Sequence, residues 1–400
     1  MVHLVWVIGA FVAPAVWLVL LATGHAHDFN AGTESLVAGI SIVGAAFLLG
    51  WACELAEEDV PPAFALIVLA LVAVLPEYAV DMHFAWKAAE DPTYLPYAVA
   101  NMTGANRVLI GFGWSSLVFI WWAKRRQTAM NVDADRRIEL KFLLVATAYS
   151  FLLPIRHILG PLDSLIFISI FMGYVFASLG TEGHEEELVG PAAWIHERVG
   201  TFARRAIVLT FLVFACIAIW FSAEPFADGL VSIGRACEID EFILIQLVAP
   251  LASESPEFIV AIMFVLRGRP SMGLGTLISS KVNQWTLLIG TLPIVYSISA
   301  GEVLAMPLDA RQNEELFLTS AQSLFAIAVL ANLRFSLLEA SVLAVMFTAQ
   351  WFFQSTEARI MFAWVYLILT VAILFGSKST RQAMLELVTR RGKHAALTED

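Results

Sequence analysis

The residues of this sequence best suited to chemistry are two glutamates, each of which follows a proline inside an apolar stretch. Glu77 follows Pro76, and Glu257 follows Pro256 with a further carboxylate at Glu254. A proline inside a membrane helix removes a backbone hydrogen bond and leaves carbonyl oxygens without a donor. A carboxylate beside them adds the hard anionic oxygens that Ca²⁺ prefers. Because a carboxylate deep in a membrane is costly, the repeated motif predicts an ion pathway.

Each Pro-Glu motif is followed by a patch of small and polar residues on the next apolar segment. The first patch runs from Ala100 to Asn106 and the second from Gly275 to Lys281. Gly104 and Gly275 would let neighbouring helices approach closely. Amide and hydroxyl oxygens would join the carboxylates around a cation, so the candidate metal ligands are Glu77, Glu257, Glu254, Asn101, Thr103, Asn106, Thr276, Ser279, Ser280, Asn283 and Gln284.

More ordinary interpretations stand beside this one. A single Pro-Glu could be a helix kink with a structural carboxylate, and the asparagines could only hold helices together. Glu254 and Glu257 are three residues apart and therefore share a helical face. Asp81, one turn after Glu77, is expected nearer the outer surface, in a vestibule or interface. Arg107 is expected to pair with an acid.

The composition identifies an all-α polytopic membrane protein. The chain has 400 residues, a mean hydropathy of +0.76 and only 15% charged residues, whereas soluble proteins carry about a quarter. No basic face or binding motif points to nucleic acid. Cys53, Cys216 and Cys237 have neither metal-site spacing nor a disulfide framework. The expected partners are inorganic cations and the lipid bilayer, and the oligomeric state is left open.

Apolar runs predict about twelve transmembrane helices, each near or above the ~20 residues that cross a bilayer. Lysine and arginine cluster in alternate loops, for example at 124–126, and again in the tail. This bias predicts an integral protein of the inner or plasma membrane with both termini in the cytoplasm. The helices are predicted near residues 2–23, 33–56, 60–88, 94–123, 139–157, 162–180, 205–237, 239–266, 271–299, 315–332, 334–353 and 358–377.

The two copies of the motif lie five helices apart, an odd number, so they must cross the membrane in opposite directions. This predicts two inverted five-helix repeats. The long seventh helix is expected to kink or tilt at Pro225. The predicted divisions are an extra N-terminal helix (1–32), a first repeat (33–180), a cytoplasmic connector (181–204), a second repeat (205–353), and an extra C-terminal helix with a cytoplasmic tail (354–400).

These residues resemble the repeats of the cation/calcium antiporter superfamily, the sodium/calcium exchangers. Those repeats read approximately Gly-Thr-Ser-Leu-Pro-Glu and then Gly-Asn-x-x-Gly-Ser-Asn. Leu75-Pro76-Glu77 and the patch at 100–106 are similar to them, and the second copy matches more loosely. The resemblance implies that Glu77 and Glu257 are the central cation ligands. It also implies that the second and seventh helices slide together to switch access.

The sequence departs from the family pattern at several positions. Val72-Ala73-Val74 replaces hydroxyl residues in the first copy, whereas Ser253 keeps one in the second and joins the candidate ligands. Lys281 stands where the family has asparagine. We expect its ammonium to pair with Glu254 or Glu257 and to replace one Na⁺ site. With Asp81 and Arg107, Lys281 forms a group of candidate coupling or charge-compensating residues.

The expected function is secondary active antiport, in which Ca²⁺ exchanges for Na⁺ or H⁺ by alternating access at a midplane carboxylate site. No organic cofactor or covalent chemistry is needed, so the chain is not expected to be an enzyme. Three alternatives stay open. They are a Na⁺/H⁺ or K⁺/H⁺ exchanger on the same scaffold, an intramembrane enzyme that uses the carboxylates as acid and base, and a sensor that has lost transport.

Overall fold

The computed structural model of the chain describes residues 2–60, 72, 74–179 and 188–389. Predictions about residues 61–71 and 73, the acidic run at 182–187 and the tail from 390 lie outside the described residues. The α-helices are α1 (Val2–Ala22), α2 (Ala31–Glu57), α3 (Leu75–Glu90), α4 (Leu95–Val108), α5 (Ser115–Arg125), α6 (Arg137–Ser150), α7 (Leu153–Arg156), α8 (Pro161–Ser178), α9 (Gly190–His196), α10 (Thr201–Cys237), α11 (Glu241–Ser253), α12 (Ser255–Arg267), α13 (Pro270–Asn283), α14 (Ile289–Ala300), α15 (Ala310–Leu330), α16 (Leu337–Phe352), α17 (Thr356–Gly376) and α18 (Lys378–Thr389).

Three short 3₁₀ helices (His25–Asp28, Pro92–Tyr94 and Ala134–Arg136), two π-helical segments and four short strands complete the described architecture. Segment π1 (Leu109–Trp114) joins α4 to α5, and π2 (Gln284–Leu288) joins α13 to α14. The strands are β1 (Ala129–Asn131), β2 (Ile158–Leu159), β3 (Met306–Pro307) and β4 (Arg334–Ser336), and they form two antiparallel pairs, β1 with β4 and β2 with β3.

The chain is helical because a lipid-buried backbone must satisfy its hydrogen bonds within the same segment. Six described helices are long and apolar enough to cross a membrane by length and composition. A seventh span arises if α11 and α12, which meet at 55°, count as one broken helix. The twelve-span count and the inverted repeats stay predictions.

Helix α15 begins earlier than predicted, and α10 has the excess length that we predicted for the seventh helix. We predicted a tenth helix at 315–332, but α15 begins at Ala310 because Asp309 and Gln312 form a reciprocal capping box before the apolar run starts. Helix α10 continues unbroken through Pro225 for 37 residues. That is about 55 Å, longer than the ~30 Å hydrocarbon core, so α10 must tilt or project beyond it.

The two halves place breaks and π segments at matching positions. Helices α3 and α12 both begin one residue before the proline of a Pro-Glu motif, at Leu75 and Ser255. Segments π1 and π2 both begin three residues after the end of a polar patch, at Leu109 and Gln284. Proline explains the breaks, because its ring cannot follow a helical turn. As a result, both motifs lie at irregular points of the fold.

Two close helix pairs frame the interior. Helices α2 and α10 pack along their length, and Ser35 Oγ donates to the Phe226 carbonyl oxygen at 3.0 Å. Helices α4 and α11 cross at Gly104, where an added Cβ would lie 2.0 Å from the Gln246 carbonyl oxygen. Glycine is therefore required at this crossing, as predicted. Gly275, in contrast, faces the guanidinium group of Arg136 instead of a helix backbone.

Candidate functional site

The centre of the candidate site is a buried amide that connects two carboxylates from opposite halves of the chain. Gln284 Nε2 donates to Glu77 Oε2 at 3.0 Å, to Glu254 Oε1, and to Ser280 Oγ at 3.2 Å. Ser280 Oγ also donates to Glu254 Oε2 at 3.4 Å. Glu77 and Glu254 are 3% and 2% exposed, and their carboxyl groups lie within hydrogen-bonding reach of each other. Two acidic side chains therefore share one buried pocket.

Local irregularities position these side chains. Glu254 is the junction residue between α11 and α12, where the chain bends by 55°. Glu77 lies in the first turn of α3, directly after a comparable start at Leu75. Gln284 is the first residue of π2. A π segment changes which side chains face inward, and such segments are frequent at functional sites. The pocket thus lies where α3, α13 and the α11–α12 junction meet.

Glu257 lies near Glu77 and Glu254 without joining their hydrogen bonds, and its role as a cation ligand stays a prediction. Within the described residues, no hydrogen bond links Glu257 to Glu77. The side chain of Glu257 is half-buried, and its Oε2 atom is buried without a hydrogen-bond partner. Gln284 bonds Glu77 and Glu254 but not Glu257, because the bend falls at residue 254 and Glu257 lies nearly one turn further along α12.

The interior near this pocket contains oxygen atoms without donors. Glu77 Oε1, Gln284 Oε1 and Asn101 Oδ1 are buried and have no hydrogen-bond partner. Asp81 is fully buried and faces Asn101 of α4, so it lies at a helix interface, one of the two locations that we predicted for it. Unpaired buried oxygens are costly unless a donor or a cation completes them.

Two other predicted ligands donate their hydroxyl hydrogen bonds to carbonyl oxygens of their own helices. Ser253 Oγ donates to the Ala249 carbonyl oxygen at 3.2 Å, and Thr276 Oγ1 donates to that of Met272 at 3.1 Å. A hydroxyl oxygen that donates in this way can still accept or ligate through its lone pairs. Their ligation of a cation stays a prediction.

Lys281 has a different partner from the one that we expected. Its Nζ donates to Asn106 Oδ1 at 2.7 Å and to the Asn106 carbonyl oxygen at 3.4 Å. It also lies 4.5 Å from the centre of the Trp285 ring. Among the described residues, no carboxylate oxygen lies within 4.0 Å of it. The pairing of Lys281 with Glu254 or Glu257 is therefore wrong, because Nζ extends toward α4.

Arg107 pairs with an acid, as predicted, and that acid is Glu315 of α15 at 2.9 Å. Gln246 Nε2 donates to both Glu315 Oε2 at 3.1 Å and Thr103 Oγ1 at 3.2 Å, which links α11, α15 and α4. Sequence reasoning missed Gln246 and Glu315. For Gln246 the available signal was a lone polar residue in an apolar helix, and for Glu315 it was a polar helix face that also carries Gln312, Thr319 and Gln322.

In the described ranges, no group of three or more histidine, cysteine, aspartate or glutamate side chains is arranged to hold a metal ion. A cation at Glu77 and Glu254 would therefore also need amide, hydroxyl or carbonyl oxygens, which Ca²⁺ accepts readily. The unpaired Gln284 and Asn101 oxygens are of this type. The residues present thus fit a hard cation.

Comparison with known proteins points the same way. The family profile described as "Sodium/calcium exchanger protein" matches residues 34–180 and 207–356. No curated protein sequence matches the chain. Among solved structures, an H⁺/Ca²⁺ exchanger, CAX, is 45% identical, with a TM-score of 0.91 over 97% of each chain.

Two more distant structures share the fold. YfkE is 15% identical with a TM-score of 0.65, and the match covers 90% of this chain and 100% of that one. The sodium-calcium exchanger NCX_Mj is 14% identical with a TM-score of 0.55, over 81% and 99% of the two chains. With the profile match over most of its length, the chain is an integral membrane protein that belongs to the sodium/calcium exchanger family.

Proposed function

We propose that the chain exchanges Ca²⁺ for protons across a membrane, by alternating access to the Glu77–Glu254 pocket. The observation that carries this proposal is the pair of buried carboxylates joined by Gln284. Two carboxylates in one buried pocket repel each other and are costly to ionise together without a counter-charge. One Ca²⁺ or two protons would each supply that charge, so the two ions would compete for the same oxygens.

Proton coupling is favoured over sodium coupling because the similar structure with the higher sequence identity is a proton-coupled exchanger. CAX, the 45% identical structure, is an H⁺/Ca²⁺ exchanger, whereas the likeness to NCX_Mj at 14% identity concerns the fold alone. The same reasoning supports transport over an enzymatic role.

The inverted-repeat architecture belongs to this proposal. The two profile matches at 34–180 and 207–356 fall close to the predicted repeats at 33–180 and 205–353, which supports those boundaries. The strand pairs also support it. An inverted two-fold operation that exchanges β1 with β3 and β2 with β4 converts the pair β1–β4 into the pair β3–β2. One small sheet would then lie at each face of the membrane.

Radioactive Ca²⁺ uptake into proteoliposomes tests the proposal. With an acidic interior, wild-type protein should accumulate Ca²⁺ as protons leave, and the uptake should collapse when an ionophore removes the pH gradient. Glu77→Gln and Glu254→Gln should each abolish uptake, because the pocket loses one of its two charges. Glu302→Gln, at an exposed glutamate, is the matched control and should transport normally. Ca²⁺ uptake that ignores the pH gradient, or full activity of Glu77→Gln, would refute the proposal.

A further inference from the structure

We infer that Lys281 is a specificity-determining residue whose amine permanently occupies the position of a second cation, so that Na⁺ has no place in the exchange. This inference rests on the proposed function and deepens it. It starts from a fully buried nitrogen whose hydrogen bonds go to Asn106 and not to Glu77 or Glu254.

The surroundings of Lys281 Nζ are those of a bound monovalent cation. Two oxygens of Asn106 accept from it, the side-chain Oδ1 at 2.7 Å and the main-chain oxygen at 3.4 Å. The face of Trp285 lies on another side at 4.5 Å, and aromatic faces attract cations. A side-chain nitrogen therefore fills a place where oxygens and a ring face converge.

The position of this contact in the duplicated sequence gives it meaning. Asn106 and Lys281 are the last residues of the two polar patches, and each precedes its π segment by the same three-residue step. A contact between equivalent residues of two repeats lies at the axis that relates them. Asparagine at both positions would aim two amide oxygens at one point on that axis. The chain instead places its own nitrogen there and engages Asn106 Oδ1.

Two consequences follow for transport. The Asn106 side-chain oxygen is already bonded to Lys281, so it is not available to a transported ion while that bond persists. The exchangeable charge is then confined to the Glu77–Glu254 pocket. Ca²⁺ movement should therefore be indifferent to Na⁺, because the only cation held beside Asn106 is covalently attached to the protein.

Lys281→Asn tests this inference directly. The shorter side chain vacates the position of Nζ and adds a second amide oxygen, which should create a Na⁺ site. In the purified variant, Na⁺ should raise the melting temperature in a concentration-dependent way, since a ligand that binds only the folded state stabilises it. Choline at equal ionic strength should have no such effect. In proteoliposomes, Na⁺ should alter Ca²⁺ uptake by Lys281→Asn and leave wild-type uptake unchanged.

Two variants separate the role of Nζ from helix packing. Lys281→Met keeps the apolar stem but supplies neither nitrogen nor oxygen, so it should not respond to Na⁺, whatever its stability. Lys281→Arg keeps the donors and should also be indifferent. A wild-type protein that is itself stabilised or driven by Na⁺ would overturn the inference, and so would a folded Lys281→Asn variant without any Na⁺ response.

These outcomes are distinct from failure of the proposed exchange. Absence of pH-driven Ca²⁺ uptake in wild-type protein would refute the proposed function. Na⁺-dependent melting would still report on Lys281, because it requires no transport. Ca²⁺ uptake that proceeds with a pH gradient but also needs Na⁺ would refute the role of Lys281 alone.

Discussion

At the scale of residues, the buried acids of this chain fall into two kinds. Glu315 has a cationic partner, Arg107 at 2.9 Å, and a further donor in Gln246. Glu77 and Glu254 have only neutral donors among the described residues within 4.0 Å. A carboxylate that the protein neutralises itself has no use for a transported ion. We therefore assign Glu315 to stability and leave the other two for the cation.

Removal of one partner from the Arg107–Glu315 pair should be strongly destabilising. Glu315→Gln leaves a guanidinium group buried without its counter-charge, and breaking such a pair costs about 3–5 kcal/mol of unfolding free energy. Thermal or denaturant unfolding in detergent measures the loss. The control is Glu386→Gln, whose partner Arg137 lies 3.3 Å away on a partly exposed surface, where such pairs contribute about 0–1 kcal/mol. Equal losses in the two variants would contradict this assignment.

The residue types of the site could be predicted from sequence, but their pairing could not. Pro-Glu inside an apolar run identified Glu77, because few other reasons place a carboxylate there. The choice between Glu254 and Glu257 depends on where the helix breaks, and a proline only limits the break to its preceding turn. The partner of Lys281 depends on the direction and reach of a long side chain. The spacing of residues along the sequence does not give that information.

At the scale of elements, close helix crossings hold the irregular segments in place. Helix α4 carries Asn101 and Asn106 and crosses α11 at Gly104, directly beside Gln246. Gln246 then connects α11 to Thr103 of α4 and to α15. The crossing therefore fixes the position of α4 relative to the half of the chain that supplies Glu254.

Gly104→Ala should disrupt this crossing. The new Cβ would lie 2.0 Å from the Gln246 carbonyl oxygen, a backbone atom that cannot rotate away, so one of the two helices must move. We expect a loss of at least the ~1–3 kcal/mol typical of overpacking, seen as a lower melting temperature together with loss of Ca²⁺ uptake.

Gly50→Ala in α2 is the matched control for that variant. An added Cβ at Gly50 has no heavy atom within 4 Å, and alanine is the better helix former by about 1 kcal/mol. This control should be neutral or slightly stabilised. If Gly104→Ala melted like Gly50→Ala, the close crossing of α4 and α11 would be incorrect.

The apolar helices were predictable, whereas their ends and internal irregularities were less so. Sequence patterns place most helices within a few residues, because long apolar runs are unambiguous. The start of α15 was missed since its first turn, from Ala310, is polar and depends on a capping box. Segments π1 and π2 could not be predicted, because an i→i+5 turn leaves no clear composition signal.

At the scale of the whole molecule, ion pairs hold α10 to the end of α2 on one side and to α3 on the other. Near one end, Asp59 accepts from Arg204 at 3.1 Å and from Arg205 at 3.0 Å, and these hydrogen bonds lower the pKa of its carboxyl group. Near the other end, Asp228 of α10 contacts His83 of α3 at 3.1 Å. Asp59 therefore connects the end of α2 to the start of α10. Asp228 connects α10 to α3, the helix that carries Glu77.

The orientation of this assembly in the membrane follows from charge and from the strand pairs. Lysine and arginine concentrate around 124–126, beside β1, and the positive-inside rule predicts that this face is cytoplasmic. Strand β4 pairs with β1 and must share its side. Strand pair β2–β3 and the end of α10 at Cys237 should then face outward. Strands of two or three residues have no periodicity, so the sequence itself could not predict these pairings.

Labelling of single cysteines with a membrane-impermeant maleimide in intact cells tests this orientation. Cys237 is exposed at the end of α10 and should react from outside once Cys53 and Cys216 are replaced by alanine. In a background without any of the three, Val303→Cys, at a residue that is 81% exposed, should behave like Cys237. Gln127→Cys, an exposed position beside the basic cluster, should react only after the membrane is permeabilised.

The three positions serve as controls for one another, because all are exposed and differ only in the side on which they lie. Reaction of Gln127→Cys in intact cells, with protection of Cys237, would mean that the whole molecule is inverted. Opposite behaviour of Cys237 and Val303→Cys would be more serious. Residues 237 and 303 are separated by two predicted spans, the eighth and the ninth, and should therefore lie on the same face of the membrane. Opposite labelling would place them on different faces. The alternation of helices on which the inverted repeats depend would then fail.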